Sequence, residues 1–296
     1  MQQHATSFPV LGTRVHGFFH LPDNSEGKKL PLIVMFNGYA TEWQFGTSAF
    51  IERFTEMGFA TLNFDYRGFG NSEGEPRQLM DIPAQLQDCA AAIAHGLVQD
   101  WVDETRLLVW GSSLGGGHAI SMAAEFDQVA GMIAQVPHCC SRAAFKTIKL
   151  SAVLTGMSQA ILDAVGNKLG AAPRMIPILA EPDQYAVLNH PGWYQHYMAI
   201  AKDSKTWHNA IPARSLLRGA DYRPVLQAEK IRCPVLLVAG NTDAGVPIDS
   251  VKDAAARIPK VQLHIYEGGH FDVYGGELQA DIISRQQAFL QAFTDQ

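Results

Sequence analysis

Two pentapeptides of the form G-x-S-x-G stand in this chain, Gly111-Ser112-Ser113-Leu114-Gly115 and Gly70-Asn71-Ser72-Glu73-Gly74. A serine hydroxyl attacks a carbonyl carbon only when a base takes its proton and a third group orients that base. The pattern alone is a modest signal, since roughly 0.1 chance matches are expected at average Gly and Ser usage in a chain this long. Local context separates the two. A reactive serine needs a strand running straight into it and a helix leaving straight after it, with glycines two residues either side because the turn is sharp. Ser113 meets that demand: Leu107-Leu108-Val109-Trp110 reads as the strand, and the helix begins at Gly115-Gly116-Gly117. Ser72 does not, because Tyr66-Arg67-Gly68-Phe69 separates it from its strand and Pro76 follows. Ser112 is flanked at two residues by Trp110 and Leu114, which the turn would not accept.

The base and its orienter should follow in the order acid, then His. Asp243 lies just past an apolar run, Cys233 to Ala239, in Gly240-Asn241-Thr242-Asp243-Ala244-Gly245. His270 lies just past the run Val261 to Tyr266, in Gly268-Gly269-His270-Phe271. Both positions fall beyond carboxyl ends of strands, where open α/β sheets build their sites. Asp272 competes for the acid role but is only two residues from His270, poorly placed to reach that ring from behind. An oxyanion needs preorganised N–H donors. The backbone N–H groups of Leu114 and of Tyr39, in the loop Asn37-Gly38-Tyr39-Ala40, are the expected pair, with the Tyr39 phenol as the alternative to its N–H.

These residues require a scaffold, and the hydrophobic patterning supplies one. Val15 to Leu21 reads as an early strand, and Leu30 to Phe36 as a strand buried on both faces. A helix carrying Phe50, Ile51, Phe54 and Met57 follows, then a strand at Ala60 to Phe64. Another helix begins near Asp81, and Gly115 to Phe126 is a helix before a strand at Val129 to Val136. After a long interruption the alternation resumes with strand Cys233 to Ala239, helix Pro247 to Ile258, strand Val261 to Tyr266 and helix Leu278 to Phe293. This order predicts a mostly parallel sheet with helices on both faces. The interruption, residues 137–230, is read as a helical insertion, its longest helix over Ala143 to Leu169. The expected division is a core of residues 1–136 and 231–296 with the insertion between them. Trp193, Tyr197 and Trp207 in the insertion are candidate substrate contacts, with packing inside the insertion as the alternative.

Composition narrows the class. Of 296 residues, 47% are hydrophobic and 18% charged, the balance of a globular chain with a sizeable core. The formal charge is −6 with no Lys/Arg run, which argues against a nucleic-acid partner. No apolar stretch reaches the ~18 residues of a membrane span, and the N-terminus does not read as a signal peptide. Cys89, Cys139, Cys140 and Cys233 form no C-x-x-C pair, so no zinc or dithiol site is suggested, and free thiols point to a cytoplasmic location. No metal or organic cofactor is implied, and the sequence leaves the oligomeric state open.

With those residues placed, the chain resembles the α/β-hydrolase superfamily along almost its whole length, most of all dienelactone-hydrolase-like and acyl-peptidase-like bacterial esterases with a helical cap. The matching stretches are Phe36 to Tyr39, Phe64 to Ser72, Gly111 to Gly115, Gly240 to Pro247 and Gly269 to Tyr274. One departure is Asn37-Gly38, where many relatives have His-Gly. The resemblance implies an α/β-hydrolase fold with an inserted cap, and makes Asp65 to Ser72 a structural loop. It also implies a carboxylesterase-like enzyme acting on a small-molecule ester through Ser113, His270 and Asp243. The same groups serve an acyltransferase, a peptidase or a C–C bond hydrolase, and the peptidase would need an acidic clamp, for which Glu181 and Asp183 are available. A non-catalytic binding protein on the same scaffold is the reading from another class.

Overall fold

The computed structural model describes residues 1–23, 25–146 and 148–294. Eight strands form one sheet: β1 (Gln2–Val10), β2 (Thr13–Leu21), β3 (Leu30–Phe36), β4 (Ala60–Phe64), β5 (Val102–Ser112), β6 (Val129–Gln135), β9 (Val235–Gly240) and β10 (Val261–Tyr266). Their spatial order is β1-β2-β4-β3-β5-β6-β9-β10. Pairing is antiparallel from β1 through β2 to β4 and parallel from β4 to β10. The parallel strands read as continuous apolar runs because helices cover both sides. Leu32, Val34, Leu107, Val109, Val235 and Leu237 point into one core layer, with side chains of α2 (Ile82–Leu97), α3 (Leu114–Glu125) and α7 (Ile248–Arg257). Their neighbours Ile33, Met35, Leu108, Trp110, Leu236 and Val238 point into the other, against α1 (Ser48–Glu56) and α8 (Gly276–Leu290). Alternation at period two thus divides each strand between two cores.

One strand was not anticipated and two expectations need correction. The N-terminal segment is a strand: β1 pairs with β2 across the Leu11-Gly12 turn, a hairpin that the polar run from Gln2 to Ser7 does not advertise. Only Phe8 and Val10 of β1 are buried, as befits an edge strand. The helix expected over Ala143 to Leu169 is two, α4 (Ser141–Phe145) and α5 (Leu150–Lys168), separated where Lys149 turns extended at φ −60° and ψ 135°. The strand expected at Leu107 to Trp110 is much longer and runs through Ser112.

The segment between β6 and β9 also carries α6 (Trp193–Ala201) and a two-stranded ladder of β7 (Met175–Pro177) and β8 (Ala210–Pro212). It is fastened to the loop after β3. The Tyr197 hydroxyl donates to the Tyr39 carbonyl at 2.9 Å, and the Trp207 indole to the Ala40 carbonyl at 2.8 Å. Ser204 and Thr206 donate to the two oxygens of buried Glu42. Among the described residues no helix is long and apolar enough to cross a membrane.

Candidate active site

Ser113 occupies the hinge between β5 and α3 with φ 57° and ψ −121°, a region that disfavours any residue with a Cβ. Its N–H donates to the Gln135 carbonyl, and its own carbonyl accepts from the His138 N–H, both at 2.9 Å. The flanking glycines are sterically required. A Cβ on Gly111 would overlap the Gly115 carbonyl, and one on Gly115 would overlap that of Phe36. Strand, strained serine and helix therefore hold the Ser113 hydroxyl at the carboxyl edge of the sheet.

His270 follows β10 and is buried, and its Nε2 lies 3.0 Å from Ser113 Oγ. On the other side its Nδ1 lies 2.6 Å from Asp243 Oδ2. A carboxylate there accepts only from Nδ1–H, which assigns the proton to Nδ1 and leaves Nε2 as the acceptor facing the serine. Asp243 follows β9, and its Oδ1 accepts from the N–H groups of Gly245 at 2.9 Å and Val246 at 2.8 Å. Burial works to raise the pKa of this carboxyl. The charge and hydrogen bond of His270 and the two backbone donors outweigh it, leaving Asp243 below its ordinary value. The Trp193 indole stacks on the His270 ring, centroids 4.8 Å apart and planes 27° from parallel.

The loop after β3 comes against the serine: a Cβ on Gly38 would sit 3.5 Å from that of Ser113. Asn37, at the position where the resemblance leads one to expect His, is buried and donates from Nδ2 to the Phe64 carbonyl at 2.6 Å, tying this loop to the end of β4. Leu114 is the first residue of α3, so its N–H has no carbonyl partner within the helix. Tyr39 lines the cavity beside Ser113, and burial pushes its phenol up.

The other candidates fall elsewhere. Ser112 Oγ pairs with the Tyr274 hydroxyl at 2.5 Å and also accepts from Gln135. Ser72 is buried in a structural loop, donating to the Asp65 carbonyl at 2.6 Å and accepting from the His16 N–H at 2.8 Å. Asp272 accepts from the Gly269 N–H. Trp193 and Tyr197 line the cavity; Trp207 does not. Its ring packs behind them against Phe45 and Tyr197, braced by its bond to Ala40, so it supports the loop rather than touching the cavity. Glu181 and Asp183 do not line the cavity either, and Glu181 accepts from Gln195.

The cavity beside Ser113 has a volume of ≈ 170 Å³. Among the described residues its wall includes Phe36, Met80, Leu114, Leu188, Leu216 and Phe271 and contains no Lys, Arg, Asp or Glu. Among the lining residues that the sequence reading did not single out is a histidine close to His270. His138 follows β6 and pairs through Nε2 with Ser141 Oγ at 2.9 Å. Burial, assisted by the neighbouring His270, lowers its pKa to about 4. Its one sequence signal is its place just past the carboxyl end of a strand.

Residues 27–277 match the family described as serine aminopeptidase, S33. The quorum-quenching protein AidA of Acinetobacter baumannii is 36% identical over 88% of this chain and 86% of its own length. The polyketide transferase ATR5 of Stachybotrys chlorohalonatus is 26% identical over 90% of each chain. The crystal structure of the α/β-hydrolase GrgF from a Penicillium species superposes with a TM-score of 0.84 at 22% identity, covering 99% of both chains. A doubly wound sheet with a strained serine between β5 and α3, matched over most of the chain, places this protein in the S33 serine aminopeptidase family of α/β-hydrolases.

Proposed function

We propose that this protein hydrolyses an uncharged carboxylic ester through an acyl-enzyme on Ser113. The observation that carries the proposal is the continuous line from Ser113 Oγ through the His270 ring to Asp243, with contacts of 3.0 and 2.6 Å. His270 Nε2 takes the hydroxyl proton as Oγ bonds to the carbonyl carbon, and Asp243 steadies the imidazolium. The N–H groups of Leu114 and Tyr39 hold the oxyanion. Collapse breaks the C–O bond, the leaving alkoxide takes the proton from Nε2, and water repeats the sequence to free the acid.

The absence of charged side chains from the described cavity wall supports an apolar, uncharged substrate. It also favours an ester over a peptide with a free amine, since among the described residues no carboxylate lines the cavity to hold an ammonium group. Residues 137–230 serve as a cap on a core of 1–136 and 231–296; His190, Trp193, Tyr197 and Leu216 of that segment reach the cavity. Trp193 and Tyr197 are assigned to the substrate pocket. Free, buried Cys89, Cys139 and Cys233 suit a reducing compartment, which supports a cytoplasmic location.

Transfer of the acyl group to an alcohol or amine is the second reading, favoured by the apolar wall and by a relative named as a polyketide transferase. Wild type and Ser113→Ala are compared on p-nitrophenyl esters, lactones and amides, with and without an added alcohol. The proposal expects a loss of about 10⁶-fold in kcat for the variant on esters. Unchanged turnover sinks it, and an ester product in place of the acid selects transfer.

A further inference from the structure

Helix α5 is amphipathic in the wrong sense for a free surface. Its inward face is Gly156, Ala160 and Asp163, the buried positions of the helix. Gly156 is pressed against Tyr185 and Leu216, where a Cβ would stand 2.9 and 3.0 Å from their side chains. Asp163 is 1% exposed, and its carboxylate takes the N–H groups of Arg174 at 2.7 Å and Arg214 at 2.9 Å, plus the Arg214 guanidinium at 3.1 Å. The outward face is aliphatic: Leu150 is 71% exposed, Leu154 64% and Ile161 51%, with Met157, Leu162, Val165 and Leu169 beside them. A carboxylate inside and leucines outside reverse the usual preference of both groups for their surroundings.

We propose that this face of α5 is the contact surface for a second copy of the chain, forming a two-fold dimer through an antiparallel pair of α5 helices. Leu150, Leu154, Met157 and Ile161 recur at spacings of 4, 3 and 4, the seam of a helix pair. Turned antiparallel, the Leu150–Leu154 end of one helix meets the Ile161–Val165 end of the other over an α5 length of about 28 Å. The exposed aliphatic side chains from Leu150 to Leu169 form one continuous strip of several hundred Å², the scale of the ~800 Å² each partner gives to a stable interface. Between Leu150 and Ile161 the polar positions on the exposed face, Ser151, Thr155 and Ser158, are small and uncharged, and the exposed Lys168 stands at the helix end outside this stretch, so a like helix approaches there without burying charge. A lipid surface fits less well. The chain carries a net charge of −6, and α5 has neither an aromatic residue nor basic residues along its length beyond Lys168 at the end. This dimer does not depend on the reaction assigned to Ser113. It would nevertheless brace the cavity wall, because α5 packs on Leu216, which lines it.

Sedimentation velocity on the full chain tests the proposal. Wild type at about 50 µM is expected as a dimer of roughly 65 kDa, twice the chain's 32.4 kDa. The double variant Leu154→Lys/Ile161→Lys is expected as a monomer, its self-association weakened at least about 100-fold, with its circular-dichroism melt retained. Val98→Lys, 73% exposed but on another surface, is expected to stay dimeric. A monomeric wild type, a double variant that still dimerises, or a Val98→Lys monomer overturns the proposal. So does a monomeric wild type that floats with phosphatidylcholine vesicles, which would assign the face to lipid.

Discussion

Ser113 holds a conformation that costs stability, and exchanging it for the residue suited to that conformation should raise the melting temperature as it removes the hydroxyl proposed as nucleophile. At φ 57° and ψ −121° a residue with a Cβ is strained by an amount of order 1–3 kcal/mol. Ser113→Ala keeps the Cβ and therefore the strain; Ser113→Gly releases it. Both variants lose the contact with His270 Nε2, so comparing them isolates the backbone. Against a release of about 2 kcal/mol stands the extra freedom of glycine in the unfolded chain, about 0.4–1 kcal/mol. The net is about 1 kcal/mol in favour of Gly, or a melting temperature roughly 2 °C higher for a chain this size. Differential scanning calorimetry of the two purified variants reads this directly, with p-nitrophenyl ester turnover confirming that neither is active. If the Gly variant melts at or below the Ala variant, the serine is not held under strain by its surroundings.

The second G-x-S-x-G should behave as architecture: Ser72→Ala is expected to cost about 1–3 kcal/mol, because it removes the hydroxyl that bonds the buried Asp65 carbonyl and accepts from the part-buried His16 N–H, while ester turnover per folded molecule stays within about threefold. Trp193→Ala removes the ring stacked on His270 and should lower kcat/KM for esters by about 10–100-fold; an unchanged value would show that the stack does not position the imidazole. Acid should destabilise the fold through its buried histidines. Burial lowers His20 and His138 to about 4 and His118 to about 3, so these rings stay neutral in the folded chain while they titrate near 6.5 once unfolded. Between those values unfolding takes up protons. Their contribution is therefore present above pH 6.5 and lost as pH falls toward 4, and a melting temperature that stays flat over that window would refute the assignment.

What the sequence made legible and what it hid differ in physical origin. The elbow could be read because its geometry leaves few choices: a Cβ at Gly111 or Gly115 collides with backbone that cannot move, so the constraint appears as residue type. Asp243 and His270 were readable because parallel-sheet topology delivers the residues after β9 and β10 to the same edge as Ser113. β1 was hidden because its burial rests on two side chains, Phe8 and Val10, at one end of nine residues. His138 was hidden among eleven histidines, distinguished by no pattern except its place after a strand. Trp193 and Trp207 show the limit most plainly. They are the same residue type in the same insertion, yet one lies against the His270 ring and the other is fastened behind the cavity to the Ala40 carbonyl. Nothing local to either residue separates those fates. What holds Trp207 back is the Ala40 carbonyl, in a loop far earlier in the chain whose Tyr39 carbonyl holds Tyr197. That loop bears the Tyr39 N–H assigned to the oxyanion, and the insertion grips it through Tyr197, Trp207 and the Glu42 cluster. The core and the insertion are thus coupled at the point where charge would develop. Loosening the insertion should disturb the reaction even where no substituted side chain touches the substrate.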